Sequence, residues 1–235
     1  MLADDYLGVL NSEQRAAVEH TGSPLLILAG AGSGKTRVIT TKIAWLIREC
    51  QVDPAGILAV TFTKKAASEM QERAINIEER ARFAQIRTFH SFGAYFLRKH
   101  AGLAGVDKNF TVYDDDDMIT LLCKAVPSLT KKDASRLAHK ISLANDYCLS
   151  PDSPELEQIE ADPDFADIYA SYQKRLRDTG NVDFGDLIML PYEILRDNEF
   201  IRRETHSRYK VIMVDEYQDS NVAQFKFLQL LSGVD

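Results

Sequence analysis

A chain of 235 residues, 45% hydrophobic and 27% charged, has the length and composition of a soluble globular protein with one large or two modest domains. Its net charge of −7 argues against a uniformly basic nucleic-acid-binding body but leaves room for a local basic groove. No apolar run approaches the roughly 18–20 residues of a membrane span, the acidic start MLADDYLGVL has no signal-peptide architecture, and Cys50, Cys123 and Cys148 are odd in number and far apart. Together these features predict a cytoplasmic protein with reduced thiols and no zinc site. The chain shows no internal repeat and no low-complexity linker.

Taken in order, Leu10-Asn11-Ser12-Glu13-Gln14 comes first, where Asn11 or Ser12 can cap a helix through Arg15, Val18 and His20. The Gln14 amide suits the edge of a nucleobase, although an exposed helical Gln is the plainer reading in isolation. Leu25-Leu26-Ile27-Leu28 is wholly apolar and reads as a strand buried on both faces of a parallel sheet. Ala29-Gly30-Ala31-Gly32-Ser33-Gly34 follows, then Lys35-Thr36-Arg37 and apolar residues at helical spacing: Val38, Ile39, Ile43, Ala44 and Ile47. A strand, a glycine-rich turn and a helix N-terminus form a phosphate cradle of converging N–H groups and partial positive charge. In it Lys35 reaches the β- and γ-phosphates and the Thr36 hydroxyl binds Mg²⁺. Ala29 stands where the loop pattern has Gly, a small change that leaves the cradle plausible.

Ile57 to Phe62 is a second buried strand, leading into Thr63-Lys64-Lys65 at a helix start. In open α/β sheets ligands sit at that edge. Gln85 to Phe89 reads as a third strand, followed by His90-Ser91-Phe92-Gly93 and a helix to about His100. Phe62, Phe89 and Phe92 lie among Lys64, Lys65, Arg87 and His90, the mixture of aromatic faces and cations that single-stranded nucleic acid requires. The sequence favours the core for Phe89 and Phe92 and is evenly balanced for Phe62.

From about Gly105 to Val182 helical patterns dominate. Asp114-Asp115-Asp116-Asp117 reads as a helix cap with favourable dipole interactions rather than as a metal site. Lys132, Arg136 and Lys140 recur every fourth residue and form a basic stripe, suited to a DNA backbone or to a merely solvated face. Leu149 to Asp164 reads as a surface connection before a helix through Phe165, Ile168, Tyr172 and Leu176, and Asp183-Phe184-Gly185-Asp186-Leu187 opens another. The β-branched run Tyr209 to Val214 then delivers Asp215-Glu216-Tyr217-Gln218. Beside a P-loop, Asp215 can hold the Mg²⁺ that Thr36 also ligates, Glu216 can polarise the attacking water, and Gln218 can sense the phosphate.

With these stretches in hand, the chain resembles the UvrD/Rep/PcrA family of superfamily 1 DNA helicases. Leu10-Asn11-xx-Gln14 is similar to its Q motif, AGAGSGKTR (29–37) to motif I, TFTKKAASEM (61–70) to motif Ia, TFHSFG (88–93) to the next DNA-contacting motif, DFGDL (183–187) to a further family motif, and VDEYQDSN (214–221) to motif II. The resemblance implies an ATP- and Mg²⁺-dependent 3′–5′ helicase or translocase on single-stranded DNA and single-strand/duplex junctions. Gln14 would read adenine, Arg37 would help hold the nucleotide alongside residues 29–36, and Phe62, Thr63, Lys64 and His90 would line the DNA path. Lys64 stands where the family usually has Asn, which makes an ionic contact there the expectation.

The implied fold is a RecA-like P-loop NTPase, an α/β parallel sheet flanked by helices with an inserted all-α subdomain. Its domains would be 1–104, the insert 105–182, and 183–235. The chain stops at Leu231-Ser232-Gly233-Val234-Asp235, before the family's motif III, so the resemblance also implies a missing second RecA-like domain with its arginines. A gap or distortion is then expected between the Leu25–Leu28 strand and the Asp215 strand. Two other contexts stay open: a nucleotide- and DNA-binding module without turnover, and the front half of a helicase–nuclease subunit. Motif Ia with DEYQD argues against a P-loop kinase.

Overall fold

The first helix, α1 (Ser12–Glu19), starts where the pairing of Asn11 with Gln14 puts it. Asn11 Oδ1 accepts from the Gln14 N–H at 2.8 Å and Gln14 Oε1 accepts from the Asn11 N–H at 3.1 Å, a reciprocal cap that satisfies two orphan donors. The structure, a computed structural model, describes residues 5–233. Met1–Asp4 of the acidic start and Val234–Asp235 at the chain's stop lie outside them. The chain packs as two units, residues 1–89 with 204–218 and residues 90–203 with 219–235.

The first unit continues with α2 (Lys35–Arg48), β1 (Ile57–Thr61), α3 (Lys64–Ile77) and β2 (Gln85–Thr88). The chain then runs through α4 (Phe89–Lys99), β3 (Val112–Tyr113), α5 (Asp115–Ala125), α6 (Lys131–Asp146), α7 (Phe165–Asp178), β4 (Val182–Asp183), α8 (Asp186–Asp197) and α9 (Glu199–Arg208). It returns to the first unit as β5 (Val211–Val214) and ends in α10 (Val222–Ser232). β2, β1 and β5 form a parallel sheet in that order, with Leu58 opposite Gln85 and Ile57 opposite Val211. As the central strand, β1 is buried along its whole length, which explains its unbroken apolar sequence. Ile43 and Ile47 of α2 and Met70 and Ala74 of α3, each pair four residues apart, pack with Ile57, Ala59 and Ile86 of the sheet.

One expectation fails here. Leu25–Leu28 forms no strand and has no regular secondary structure, and Leu25, Leu26 and Leu28 are 45%, 66% and 85% exposed. A parallel strand hides both faces only inside a sheet, and β5 forms this sheet's edge with its residues only half-buried. Among the described residues the parallel sheet therefore has three strands, and Leu25–Leu28 is not one of them.

In the second unit α5, α6 and α7 enclose a core of Leu121, Leu122, Leu137, Ile141, Phe165, Tyr172 and Leu176. Asp114 caps α5 reciprocally with Asp117, the capping role expected of the aspartate run. The expected all-helical stretch also contains β3, which pairs in parallel with β4; strands of two residues leave no periodicity to read. α9 and α10 were not expected either. In α4, Gly93 meets α8 so closely that an added Cβ would lie 1.8 Å from the Leu187 carbonyl oxygen. No helix among the described residues is long and apolar enough to cross a membrane.

Candidate functional site

The glycine-rich loop turns as its sequence requires. Gly32 and Gly34 take positive φ, 74° and 87°, and Gly34 is the N-cap of α2, so the helix opens directly at Lys35. Lys35 Nζ donates to the Ala29 and Gly30 carbonyls at 3.0 and 3.2 Å, which folds the lysine over its own loop. Gln14 Nε2 donates to the Ser33 carbonyl at 2.9 Å. The N-terminal end of α1 is thereby tied to the loop, and a Cβ at Gly34 would stand 2.8 Å from that amide nitrogen. Arg37 is exposed on the first turn of α2.

β5 delivers the acidic pair to this loop. The Asp215 N–H extends the ladder by donating to the Val60 carbonyl at 2.9 Å, and the side chain is buried. Thr36 Oγ1 donates to Asp215 Oδ2 at 3.4 Å. Burial, then the neighbouring Glu216 charge, raises the Asp215 carboxyl above the usual carboxylate range. Two hard oxygen donors at this separation fit a Mg²⁺ site completed by phosphate oxygens and water. No group of three or more His, Cys, Asp and Glu suited to a metal occurs among the described residues, so the phosphates would have to share in holding the cation. Glu216 sits at φ 52°, a left-handed backbone that is costly for a non-glycine residue and typical of functional turns. Its Oε2 accepts from Gln218 Nε2 at 2.6 Å.

The residues proposed for nucleic acid separate into two groups. In the first unit Phe62 is half-buried with its ring 5.2 Å from that of Phe89, Thr63 caps α3 by accepting from the Ala66 N–H at 3.1 Å, and Lys64 is exposed on that helix's first turn. In the second unit the ring of His90 stacks on Phe184, with centroids 3.8 Å apart and planes 19° from parallel. Burial pushes His90 down to about 4, so at neutral pH it offers a ring face rather than the positive charge its sequence context suggests. Phe89 and Phe92 are buried, as their apolar spacing implies. On α6, Lys132 is exposed, whereas Arg136 pairs with Glu160 and Lys140 donates to the Ile159 carbonyl at 2.6 Å. Most of the basic stripe is thus engaged within its own unit.

Sequence reasoning missed two features around the DFGDL stretch. Phe184 is 58% exposed despite its apolar character. The aspartates on either side of it are buried and bound: Asp183 accepts from the Tyr172 hydroxyl at 2.9 Å, and Arg177 forks onto Asp186 at 2.8 and 2.5 Å. Two Asp residues three apart at a helix start signal a cap, but no local pattern pointed to Arg177 or Tyr172.

A parallel sheet with a GKT helix start and a strand-end Asp-Glu pair at its edge defines a P-loop α/β protein. More narrowly, the chain belongs to the UvrD/REP helicase N-terminal domain family, whose model matches residues 10–235, and the fold is RecA-like. It is 40% identical to ATP-dependent DNA helicase Rep of Escherichia coli (strain K12) over 230 residues, covering 95% of this chain and 34% of that protein. It is 41% identical over 243 residues to ATP-dependent DNA helicase UvrD1 of Mycobacterium tuberculosis (strain ATCC 25618 / H37Rv), covering 99% of this chain and 32% of the relative. Rep of Buchnera aphidicola subsp. Baizongia pistaciae is 37% identical over 228 residues, 96% of this chain and 34% of the relative. The chain spans about a third of the length of these relatives.

Proposed function

We propose that this chain is the nucleotide- and DNA-binding front part of an ATP-dependent DNA helicase motor, with the site residues acting as follows. The backbone of residues 29–34 cradles the phosphates, and Lys35 leaves the Ala29 and Gly30 carbonyls to reach the β- and γ-oxygens. Thr36 and Asp215 hold Mg²⁺, which when bound offsets the charge of the phosphate oxygens. Glu216 orients and deprotonates the attacking water, and Gln218 holds that carboxylate while the γ-position is empty. Gln14 and Arg37 contact the nucleotide. Phe62, Thr63, Lys64, His90 and Lys132 are the contacts to single-stranded DNA, with Arg136 taking part only if it leaves Glu160. The domain reading places residues 1–104 and 183–235 in the RecA-like domain and 105–182 in its insert. In this reading the protein works in the cytoplasm beside a second RecA-like domain, on single strands and their junctions with duplex.

The observation that carries the reading is the meeting of Thr36 and Asp215 beside the P-loop. The chain spans about a third of the length of its relatives, which favours one refinement, that this part alone binds nucleotide without turning it over. Arginine fingers supplied from elsewhere are worth roughly 10³–10⁵ in rate in related NTPases. The test is ATP binding and hydrolysis with and without single-stranded DNA, beside Lys35→Ala. Binding that depends on Lys35, with negligible hydrolysis, is the expected result. Binding unaffected by Lys35→Ala would sink the nucleotide site, and DNA-stimulated hydrolysis by this chain would show it to be a self-sufficient coupled motor.

A further inference from the structure

We infer that Lys42, outside every motif named above, is a positioning residue for the base of the nucleotide, acting through α1 on Gln14. Its ammonium, on α2 about two turns beyond Lys35, donates to the carbonyls of Ala17 at 3.1 Å and Val18 at 3.0 Å, and closely to that of His20. These belong to the last turn of α1 and its C-cap, where helical carbonyls lack intrahelical partners and a cation is favoured by the dipole. α1 has no basic residue of its own in that turn. Lys42 is half-buried, and these three carbonyls match the three donors of its ammonium.

The other end of α1 is held to the same P-loop segment. Gln14 Nε2 donates to the Ser33 carbonyl, and Gln14 Oε1 accepts from the Asn11 N–H. Those two bonds fix the plane of the amide and leave it one N–H and one lone pair. One remaining donor and one remaining acceptor complement the N7 acceptor and N6 amino donor of adenine, the pairing by which Gln recognises that base elsewhere. Lys42 therefore sets the seat of α1, the seat of α1 sets the amide, and the amide reads the base. This inference rests on the proposal that Gln14 contacts adenine.

The test measures equilibrium binding of ATP, GTP and inorganic tripolyphosphate, each with Mg²⁺, to the wild-type chain, Gln14→Ala, Lys42→Met and Lys42→Arg. Gln14→Ala and Lys42→Met are both expected to lose the preference for ATP over GTP, by roughly three- to tenfold, the worth of one hydrogen bond, with tripolyphosphate bound as in the wild type. Lys42→Arg, which keeps donors and charge, retains the preference. If Gln14→Ala loses the preference and Lys42→Met keeps it, the role of Lys42 is overturned while the adenine reading stands. If Gln14→Ala keeps the preference, the adenine reading falls and takes the inference with it. Equal weakening of all three ligands in Lys42→Met also overturns the inference, because Lys42 would then support the P-loop or the fold rather than the base contact.

Discussion

Thr36 Oγ1 lies 3.4 Å from Asp215 Oδ2, although 179 positions separate the two residues in the chain. Thr36 is placed by the left-handed Gly34 that opens α2, and Asp215 by the ladder bond from its N–H to Val60. The juxtaposition is thus fixed by backbone on both sides. If this pair holds the nucleotide's cation, Asp215→Asn removes the share of nucleotide binding that depends on Mg²⁺. A charge-assisted contact of this kind is worth about 1.5–3 kcal/mol, so the gain in ATP affinity on adding Mg²⁺ should fall at least tenfold. Thr36→Ala should act in the same direction and more weakly. Titrations with and without Mg²⁺ check this, and an Asp215→Asn chain with an undiminished gain would remove Asp215 from the site.

The stacked pair of His90 and Phe184 makes a second expectation measurable. Burial holds His90 at about 4, below its ordinary 6.5. A histidine depressed on folding contributes stability that is complete above 6.5 and lost as pH falls toward 4, because the unfolded chain takes up the proton first. Proton-detected NMR should therefore find His90 titrating near 4. In Phe184→Ala, with one face of the ring opened to water, its midpoint should move back toward 6.5. A wild-type midpoint at 6.5 would mean that the imidazole is hydrated and available as a cation.

How far the sequence foretold all this depended on how local each cause was. The cap of α1, the turn at Gly32 and Gly34, the capping role of Asp114 and the central strand β1 are set by residues a few positions apart, and they were legible. Thr36 and Asp215 were legible as partners because each sits on a recognisable strand or helix end. Leu25–Leu28 misled for a physical reason: an apolar run states that burial is favourable, but a strand also needs neighbours for its N–H and C=O groups, and the run pairs with none here. The electrostatic state of His90 was illegible because it depends on Phe184, nearly a hundred residues on, and on how much water the fold excludes. Arg136 read as free, and Glu160, which neutralises it, comes from the connection after α6.

Gly93 illustrates a motif glycine with a packing reason. It lies inside α4, where alanine would ordinarily stabilise the helix by roughly 1 kcal/mol. Here a Cβ would stand 1.8 Å from the Leu187 carbonyl oxygen, a backbone atom that cannot rotate away. Gly93→Ala should therefore force α4 and α8 apart and destabilise the second unit by about 1–3 kcal/mol, the usual cost of overpacking. Urea unfolding read on that unit checks the sign, and an Ala variant more stable than the wild type would show that the helices yield without cost.

The buried cluster beneath Phe184 gives stability a pH dependence opposite to that of His90. Asp183 accepts from the Tyr172 hydroxyl and from the Asp186 N–H, yet burial, followed by the charge of Asp186, outweighs these donors and raises its carboxyl to about 7 from an ordinary 3.8. Arg177 does not reverse this, since both its short bonds go to Asp186. Asp183 in the folded chain thus binds a proton that the unfolded chain releases between 3.8 and 7. Its contribution to stability is complete below 3.8 and declines as pH rises through about 7. Asp183→Asn changes the hydrogen bonds by an amount that does not vary with pH, but it removes this slope. Denaturant unfolding of both proteins at pH 5, 6, 7 and 8 should therefore find the variant gaining on the wild type as pH rises to about 7 and levelling beyond it. A gap constant across that range would mean that Asp183 stays ionised throughout, its charge held by Tyr172 and the Asp186 N–H after all.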